Sequence, residues 1–394
     1  MSKILRYFIL AGLIVWLAHA MVGGEISSVM YAGAQARGQA DRTPIVLERP
    51  PLRFIKDPNP SFSGVAVNSD HNMLVVTDEN LFQILEYNVN ENTPSQARFS
   101  EPKRIISGTD TRAEMMCGVY IDPKTREIYV MNNDTQSYIP VFAPDAKGNV
   151  KPERYLDGVR GFGIAADEDA GLLYMTNQSG SIMVFRKEAA GRDQPVRRIE
   201  GNNTLLQDPH GIAVDTKNKL VYVSNFGNAD LRAADGHGRY GKFDLPSITI
   251  YPLEGQGDIK PVRVIRGPKT LMNWPSHLAL HVERQELFVA NDADDSVLVF
   301  KATDQGDVAP IRVLKGPNTG IKHPPGIALD EKLGEIFVAS MGNASVTVFP
   351  VTANGNVKPS RTVRGGPIGA VGLNIGNPGA VGYDSKRDQI LVPN

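Results

Sequence analysis

GIAVDTKNKLVYVSN, residues 211–225, reads as two short strands joined by a turn, and the fold follows from what recurs around it. GIAVD is a brief apolar run, and LVYVSN is β-branched and aromatic in part. Thr216-Lys217-Asn218 between them is turn chemistry, since Asn tolerates left-handed backbone. SITIYP at Ser247–Pro252 alternates with period two and supplies a third strand. After the turn Glu254-Gly255-Gln256-Gly257, PVRVIRG from Pro261 supplies a fourth.

The same phrases return along the chain. GIAVD-like starts occur at Gly64, Gly118, Gly163, Gly211, His277, Gly326 and Ala380. Pro-x-Arg-x-apolar-x-(Gly/Asp) occurs from Pro51, Pro102, Pro152, Pro195, Pro261, Pro310 and Pro359. A fixed-period repeat marks a solenoid or propeller, because one unit cannot bury its apolar face alone. The two phrases are offset: a Pro-x-Arg copy comes first and a GIAVD-like copy comes last. An open array gains nothing from that offset, whereas a closed ring does, because an N-terminal strand can complete the last unit and remove both free edges. The sequence therefore predicts an all-β fold: a seven-bladed β-propeller of four-stranded antiparallel blades over residues 45–394. The last blade would take inner strands from 380–394 and outer strands from 45–56. The proline opening each fourth strand suits an outer edge, where its missing N–H breaks no ladder.

Composition agrees. Lys plus Arg number 42 against 43 Asp plus Glu in 394 residues, so no net field recruits nucleic acid or an anionic membrane. A 41% hydrophobic fraction with 38 Gly and 27 Pro suits a turn-rich β protein. Lys3 and Arg6 precede an apolar run over residues 7–22 that contains the small-x-small site Ala18-His19-Ala20. That pattern predicts a signal peptide over 1–20, or an uncleaved membrane anchor, and a periplasmic or extracellular protein. Residues 21–44, rich in Ala, Gly and Gln, read as a flexible leader. Cys117 is the sole cysteine, which excludes an internal disulfide and a C-x-x-C-H haem site.

The repeats resemble the NHL type found in exported bacterial proteins, with tandem GIAVD…IYVAN…VTVYP…P-x-R-x-I-x-G units. GIALDEKLGEIFVAS from Gly326, followed by SVTVFP and PSRTVRG, matches best. The resemblance covers about residues 45–394 and speaks for fold more than activity. More distantly related propellers include lactonases, a zinc-dependent peptide-amidating lyase and pure binding modules. WD dipeptides, double-Gly kelch motifs and sialidase boxes are absent from the sequence.

Strand direction gathers one set of residues at one mouth of the channel. Before the inner strands stand Ser63, Cys117, Phe162, His210, Ser276, Pro325 and Gly379. Closing the second strands stand Asp78, Asn132, Asn177, Asn225, Asn291, Ser340 and Asn394. Side-chain oxygens in a ring could hold calcium, but one Asp supplies little charge. Asn and Asp closing a strand more simply cap the following turn. Zinc needs converging histidines, and only His210 holds the position before an inner strand, with His277 one residue later. Cys117 reads as a small hydrophobe unless His210 reaches it across the channel.

Two breaks in the repeat stand out. The step from Gly211 to His277 is 66 residues against 45–54 elsewhere. The excess, residues 227–246, carries Arg232, His237 and Tyr240 and lies at the same mouth. LMNWPSH, residues 271–277, puts Trp274 on that rim, and Trp is enriched in binding sites. The seven motif arginines (Arg53, Arg104, Arg154, Arg197, Arg263, Arg312, Arg361) read as scaffold on the outermost strands. The sequence thus points to a propeller that binds a protein or a cell-envelope polymer at this mouth. A lactonase-like hydrolase or lyase with a calcium or zinc ion there is the alternative.

Overall fold

The computed structural model describes residues 52, 53, 55, 62–94, 96–133, 135–227, 244–343, 345–364 and 380–392. The expected signal peptide over 1–20 and leader over 21–44, together with Arg232, His237, Tyr240 and Asn394, lie outside the described residues, as do residues 365–379. So does most of the 45–56 segment.

Six sheets of four antiparallel strands follow one another, each with its strands hydrogen-bonded in chain order. Blade 1 runs through Phe62–Asn68, Met73–Asp78, Gln83–Asn88 and Arg104–Ser107. Blade 2 uses Met116–Ile121, Ile128–Asn132, Tyr138–Phe142 and Arg154–Asp157, and blade 3 uses Ile164–Asp167, Leu172–Asn177, Ser181–Arg186 and Arg197–Glu200. Blade 4 is Pro209–Asp215, Leu220–Asn225, Ser247–Pro252 and Arg263–Arg266. Blade 5 is Pro275–His281, Glu286–Asn291, Ser296–Lys301 and Arg312–Lys315. Blade 6 is Gly326–Asp330, Glu335–Ser340, Ser345–Pro350 and Arg361–Arg364. A two-stranded sheet, Gly382–Asp384 with Gln389–Leu391, comes last. Each innermost strand neighbours the next, and Gly382–Asp384 neighbours the innermost strands of both blade 6 and blade 1. The fold is a β-propeller. Seven four-stranded blades were expected; among the described residues six are four-stranded, and a two-stranded sheet stands where the seventh was expected.

Packing lies between blades. Tyr129, Met131, Ile139 and Val141 of blade 2 interleave with Leu173, Met175, Met183 and Phe185 of blade 3. Tyr222, Ile248 and Ile250 of blade 4 meet Leu287, Val289, Leu298 and Phe300 of blade 5 in the same way. The repeated Phe of the third strand (Phe142, Phe185, Phe300, Phe349) is fully buried each time. Each such ring contributes about 2–3 kcal/mol by burial alone. Blade 2 departs from the pattern at Pro140, inside its third strand, where ladder pairing with the second strand reaches only Ile128↔Phe142 and Tyr129↔Val141. A proline has no N–H to give that ladder.

The motif residues are ties between blades. Arg312 bonds both carboxylate oxygens of Glu286 (3.0 and 2.7 Å) and the carbonyl of Val351 in blade 6 (2.9 Å). Arg154 joins Glu127 and Tyr129 Oη to the carbonyl of Lys187 in blade 3. Arg53 donates to the carbonyl of Val89 (3.2 Å) and to Gln389 Oε1, and Ile55 packs beside Leu391 and the blade 1 core. In blades 2–6 the loop ahead of the outermost strand reaches back along the preceding blade. Gly306 N–H donates to Val264 O at 2.6 Å, and its carbonyl takes the Arg266 N–H at 3.1 Å. The same parallel bridge recurs at Gly148, Gly191, Gly257 and Gly355. The Asp of GIAVD caps the turn behind it, as where Asp330 Oδ1 accepts from Lys332 and Leu333 amides at 2.8 and 2.9 Å.

Candidate functional site

In blades 2–6 the inner strand is entered through a loop at one mouth, and in four of these blades that loop is built identically. A Gly is followed three residues later by a buried Thr whose hydroxyl bonds the Gly carbonyl. The pairs are Thr111 to Gly108 (2.6 Å), Thr204 to Gly201 (2.7 Å), Thr270 to Gly267 (2.6 Å) and Thr319 to Gly316 (2.7 Å). The next residue is left-handed: Arg112, Leu205, Leu271 or Gly320, with φ of 55, 61, 61 and 68°. A second left-handed residue follows three later: Met115, Asp208, Trp274 or His323. Its carbonyl accepts the amide after the second strand, from Asn133, Phe226, Asp292 and Met341, at 3.0–3.1 Å. The Gly-x-x-Thr-x-apolar phrase behind these loops is visible in the sequence as an extension of Pro-x-Arg-x-apolar-x-Gly, and it is the signal that the motif reading missed.

The asparagine ring is buried and bonded inward. Asn291 Oδ1 accepts the Asn273 amide at 2.6 Å while Nδ2 donates to Leu271 O (3.1 Å) and Ser296 Oγ (2.9 Å). Asn132 bonds Glu114 and Arg112, Asn177 bonds Arg160 and Gly158, and Asn225 bonds Gln207 and Thr249 in the same role. These amides therefore hold the loop that enters their own blade, not the turn that follows the strand. Only Asp78 caps the following turn, through Asn80 and Leu81 amides at 2.9 Å. Blade 6 carries Ser340 in place of Asn, and Asn343 replaces the missing donor by reaching Gly320 O at 2.6 Å. Thr347 Oγ1, opposite that substitution, is buried without a partner.

Four rings form a column across blades 3, 4 and 5. Phe162 stacks on His210 (centroids 3.8 Å, 14°), His210 on Phe226 (3.4 Å, 8°), and Phe226 on Trp274 (5.5 Å, 14°). His210 Nε2 lies 3.5 Å from Asp208 Oδ1. Trp274 ends the column 46% exposed. Sequence reading found three of these rings and missed Phe226, which follows the repeat's Asn225 directly. Cys117 Sγ sits near Met115 O (3.6 Å) and Asn133 Nδ2 (3.7 Å) on blade 2. Also on blade 2, the Arg112 guanidinium lies over Tyr138 and Tyr155 at 4.6 and 5.3 Å.

His277 fills a position that is Gly in most blades. A Cβ on Gly118, Gly163 or Gly211 would approach the carbonyl of the next blade, at 2.8, 2.3 and 2.9 Å. In blades 3 and 4 that carbonyl accepts a hydroxyl, from Thr176 to His210 O and from Ser224 to Ser276 O, both 2.9 Å. Blade 5 has Ala290 at the hydroxyl position, and Pro325 O instead accepts from His277 Nδ1 (2.5 Å) and Ser276 Oγ (3.0 Å). Burial pushes the His277 imidazole pKa down, aided by the nearby His210 and opposed by the Pro325 bond. Its Nε2 has no hydrogen-bond partner among the described residues. On the rim beside Trp274, Asp292 faces His323 Nδ1 at 3.5 Å, and burial raises its carboxyl pKa. Among the described residues no three His, Cys, Asp or Glu side chains stand where they could share a metal ion.

No family model matches the chain, and no curated protein matches it. The NHL resemblance therefore rests on the quoted motifs alone. The crystal structure of Raptor from Chaetomium thermophilum is similar, with TM-score 0.61 and 11% identity, covering 86% of this chain and 27% of that one. That likeness concerns the fold. Fold and mouth together define a β-propeller whose blades present built loops at one mouth.

Proposed function

We propose that this protein is an exported, NHL-type propeller that acts as a non-enzymatic binding module, with the mouth around blades 3–5 as its contact face. The observation that carries the reading is the Phe162–His210–Phe226–Trp274 column, because a stacked aromatic row ending in a half-exposed Trp offers contact area at low entropic cost. The partner is a protein or a cell-envelope polymer. The test is photocrosslinking in the cells that make the protein, with a benzophenone amino acid at Trp274 and, as control, at Lys217 on the opposite face. A discrete adduct at Trp274 alone supports the reading, and no adduct at Trp274 rejects it.

The two-stranded sheet is read here as the inner half of a seventh blade completed by residues 45–56. Arg53 supports this: it meets Val89 O and Gln389 as Arg312 meets Val351 O and Glu286. A lactonase-like hydrolase at the same mouth is the second reading, favoured by His277, a mouth imidazole whose pKa burial pushes down and whose Nδ1 is held by the Pro325 carbonyl. Elemental analysis of the untagged protein for calcium and zinc separates the two, since a stoichiometric ion would promote the enzyme.

A further inference from the structure

The arginine that opens each outermost strand can be compared blade by blade. In four blades it pairs with an acid of its own blade: Arg104 with Glu86, Arg154 with Glu127, Arg312 with Glu286 and Arg361 with Glu335. It also reaches the carbonyl that follows the third strand of the next blade. That bond runs from Arg104 to Ala143, Arg154 to Lys187, Arg263 to Ala302 and Arg312 to Val351. Among the described residues Arg197 of blade 3 makes neither contact. Leu172 takes the place of the acid there, pairing with Asp167 as Glu335 pairs with Asp330. The one hydrogen bond of the Arg197 guanidinium runs from Nη2 to Tyr174 Oη, at 2.9 Å.

What surrounds Arg197 is a set of donors without acceptors. Its Nε is buried with no partner, and Nη1 has none among the described residues. The Tyr174 hydroxyl, on a side chain 1% exposed, accepts from Arg197 but finds no acceptor for its own proton among the described residues. In blade 2 the corresponding Tyr129 hydroxyl donates to Lys187 O at 2.8 Å. Burial raises the Tyr174 pKa against the opposing charge of Arg197, so the hydroxyl keeps a proton to give. Donors of this kind match a group that only accepts, and an ionised carboxylate is one.

An open groove of about 400 Å³ is lined by Arg197 and Arg198, Gln194 and Gln256, and one acid, Glu200. Glu200 is paired with Arg198 at 3.1 Å. Asp167 and Glu254 act on Tyr174 through space, yet neither bonds Arg197, and Asp167 Oδ1 takes the Ala170 amide instead. One guanidinium without a bonded acid suits a singly charged carboxylate better than a doubly charged phosphate. Blade 5 supplies the template: Glu286 sets both its oxygens on Arg312.

We propose that Arg197 and Tyr174 form a carboxylate-binding site at the outer edge between blades 3 and 4, where a carboxylate from outside the chain takes the place that Glu286 holds in blade 5. The site is separate from the mouth, and its fate does not depend on the Trp274 crosslink.

The test follows the Arg197 Nε–H NMR signal in arginine-labelled full-length protein, assigned with Arg197→Lys. Sodium glutarate is added against sodium chloride of equal ionic strength. The expected result is a saturable shift that chloride does not produce. Affinity should fall about tenfold or more in Leu172→Glu, which supplies the missing acid within the chain. Leu172 packs in an apolar cluster, so Tyr174→Phe serves as the second variant; it gives blade 3 the ring that Phe288 and Phe337 supply in blades 5 and 6. It should weaken glutarate about threefold or more. A tetraglutamate peptide is titrated in the same way. Binding about tenfold tighter than glutarate assigns the carboxylate to an acidic segment of a protein, and equal or weaker binding assigns it to a small molecule. Absence of a glutarate-specific shift overturns the proposal, as does an affinity left unchanged in either folded variant.

Discussion

The backbone amide of Lys269 donates to Asp307 Oδ1 at 2.7 Å across the boundary between blades 4 and 5. The Asp307 carboxylate stands where a Cβ on Gly267 would lie, 2.5 Å away, and Gly267 itself has φ of +135°. Asn149, Asp258 and Asn356 make the same contact on Asp110, Asn203 and Asn318 at 2.7–2.8 Å. The closing Gly of Pro-x-Arg-x-apolar-x-Gly is thus fixed by a neighbouring blade. Asp307→Ala should destabilise by about 1 kcal/mol, as loss of a helix N-cap does, and Gly267→Ala by more, since it adds a clash to a strained φ. Denaturant melts of both variants check the order; Gly267→Ala as mild as Asp307→Ala would contradict it.

Acid should weaken the blade 5 tie. Desolvation alone would raise the Glu286 pKa, but bonds from Arg312 and Arg284 outweigh it and hold the carboxyl down to about 2. A depressed folded-state pKa gives stability that is present above the unfolded value, near 4.5, and is lost as pH falls towards 2. Melting temperature should therefore fall across that window, and Glu286→Gln should flatten part of the fall while lowering stability at pH 7. An unchanged acid slope in Glu286→Gln would place the acid sensitivity elsewhere.

How much of this was legible follows from which residues carry local signals. Strand periodicity and turn chemistry are local, so the inner, second and outermost strands of the six blades fall on or beside the phrases read from sequence, whereas the third strand of blade 2, Tyr138–Phe142, broken by Pro140, was not read. The outer-strand arginines were legible as scaffold for the same reason. The column was legible only in part. Phe162 and His210 stand just before inner-strand phrases and Trp274 in a visible break of the repeat, but Phe226 enters from the residue after a strand, and stacking between blades has no sequence period. The asparagines looked like caps of the following turn; they bond a loop 18–20 residues upstream, a contact that no local rule supplies.

The His277 substitution is testable as a pair. His277→Gly removes one donor to Pro325 O and should cost about 1 kcal/mol. Adding Ala290→Ser rebuilds the Ser224 arrangement of blade 4, in which the hydroxyl also accepts the Gly211 amide at 2.9 Å. The double variant should recover most of the loss, giving a coupling energy of about 0.5–1 kcal/mol in a double-mutant cycle. Simple additivity would show that the two devices are not equivalent.

Trp274 is the only tryptophan of the repeat region, Trp16 being the other in the chain. In a Trp16→Phe background its emission reports the stack on Phe226. Phe226→Ala should expose the indole face and shift emission to the red, with stronger iodide quenching. His210→Ala, one ring further along, should change it less. Equal shifts from both would mean that the column moves as a unit.

The closure of the ring turns on Arg53. Its contacts with Val89 O and Gln389 repeat those of Arg312 with Val351 O and Glu286, and Ile55 packs against the blade 1 core. If residues 45–56 form the outer strands of a seventh blade, deleting 45–57 leaves two strands with an open edge beside blade 1. That deletion should aggregate or lose cooperative melting. Arg53→Ala should cost less than Arg312→Ala, because Gln389 is neutral and tolerates loss of its partner, whereas Glu286 would be left a buried, less compensated charge. Removing Arg312 should cost about 3 kcal/mol on that account, less whatever Arg284 restores. A 45–57 deletion that melts like the full chain would mean the ring closes without these residues.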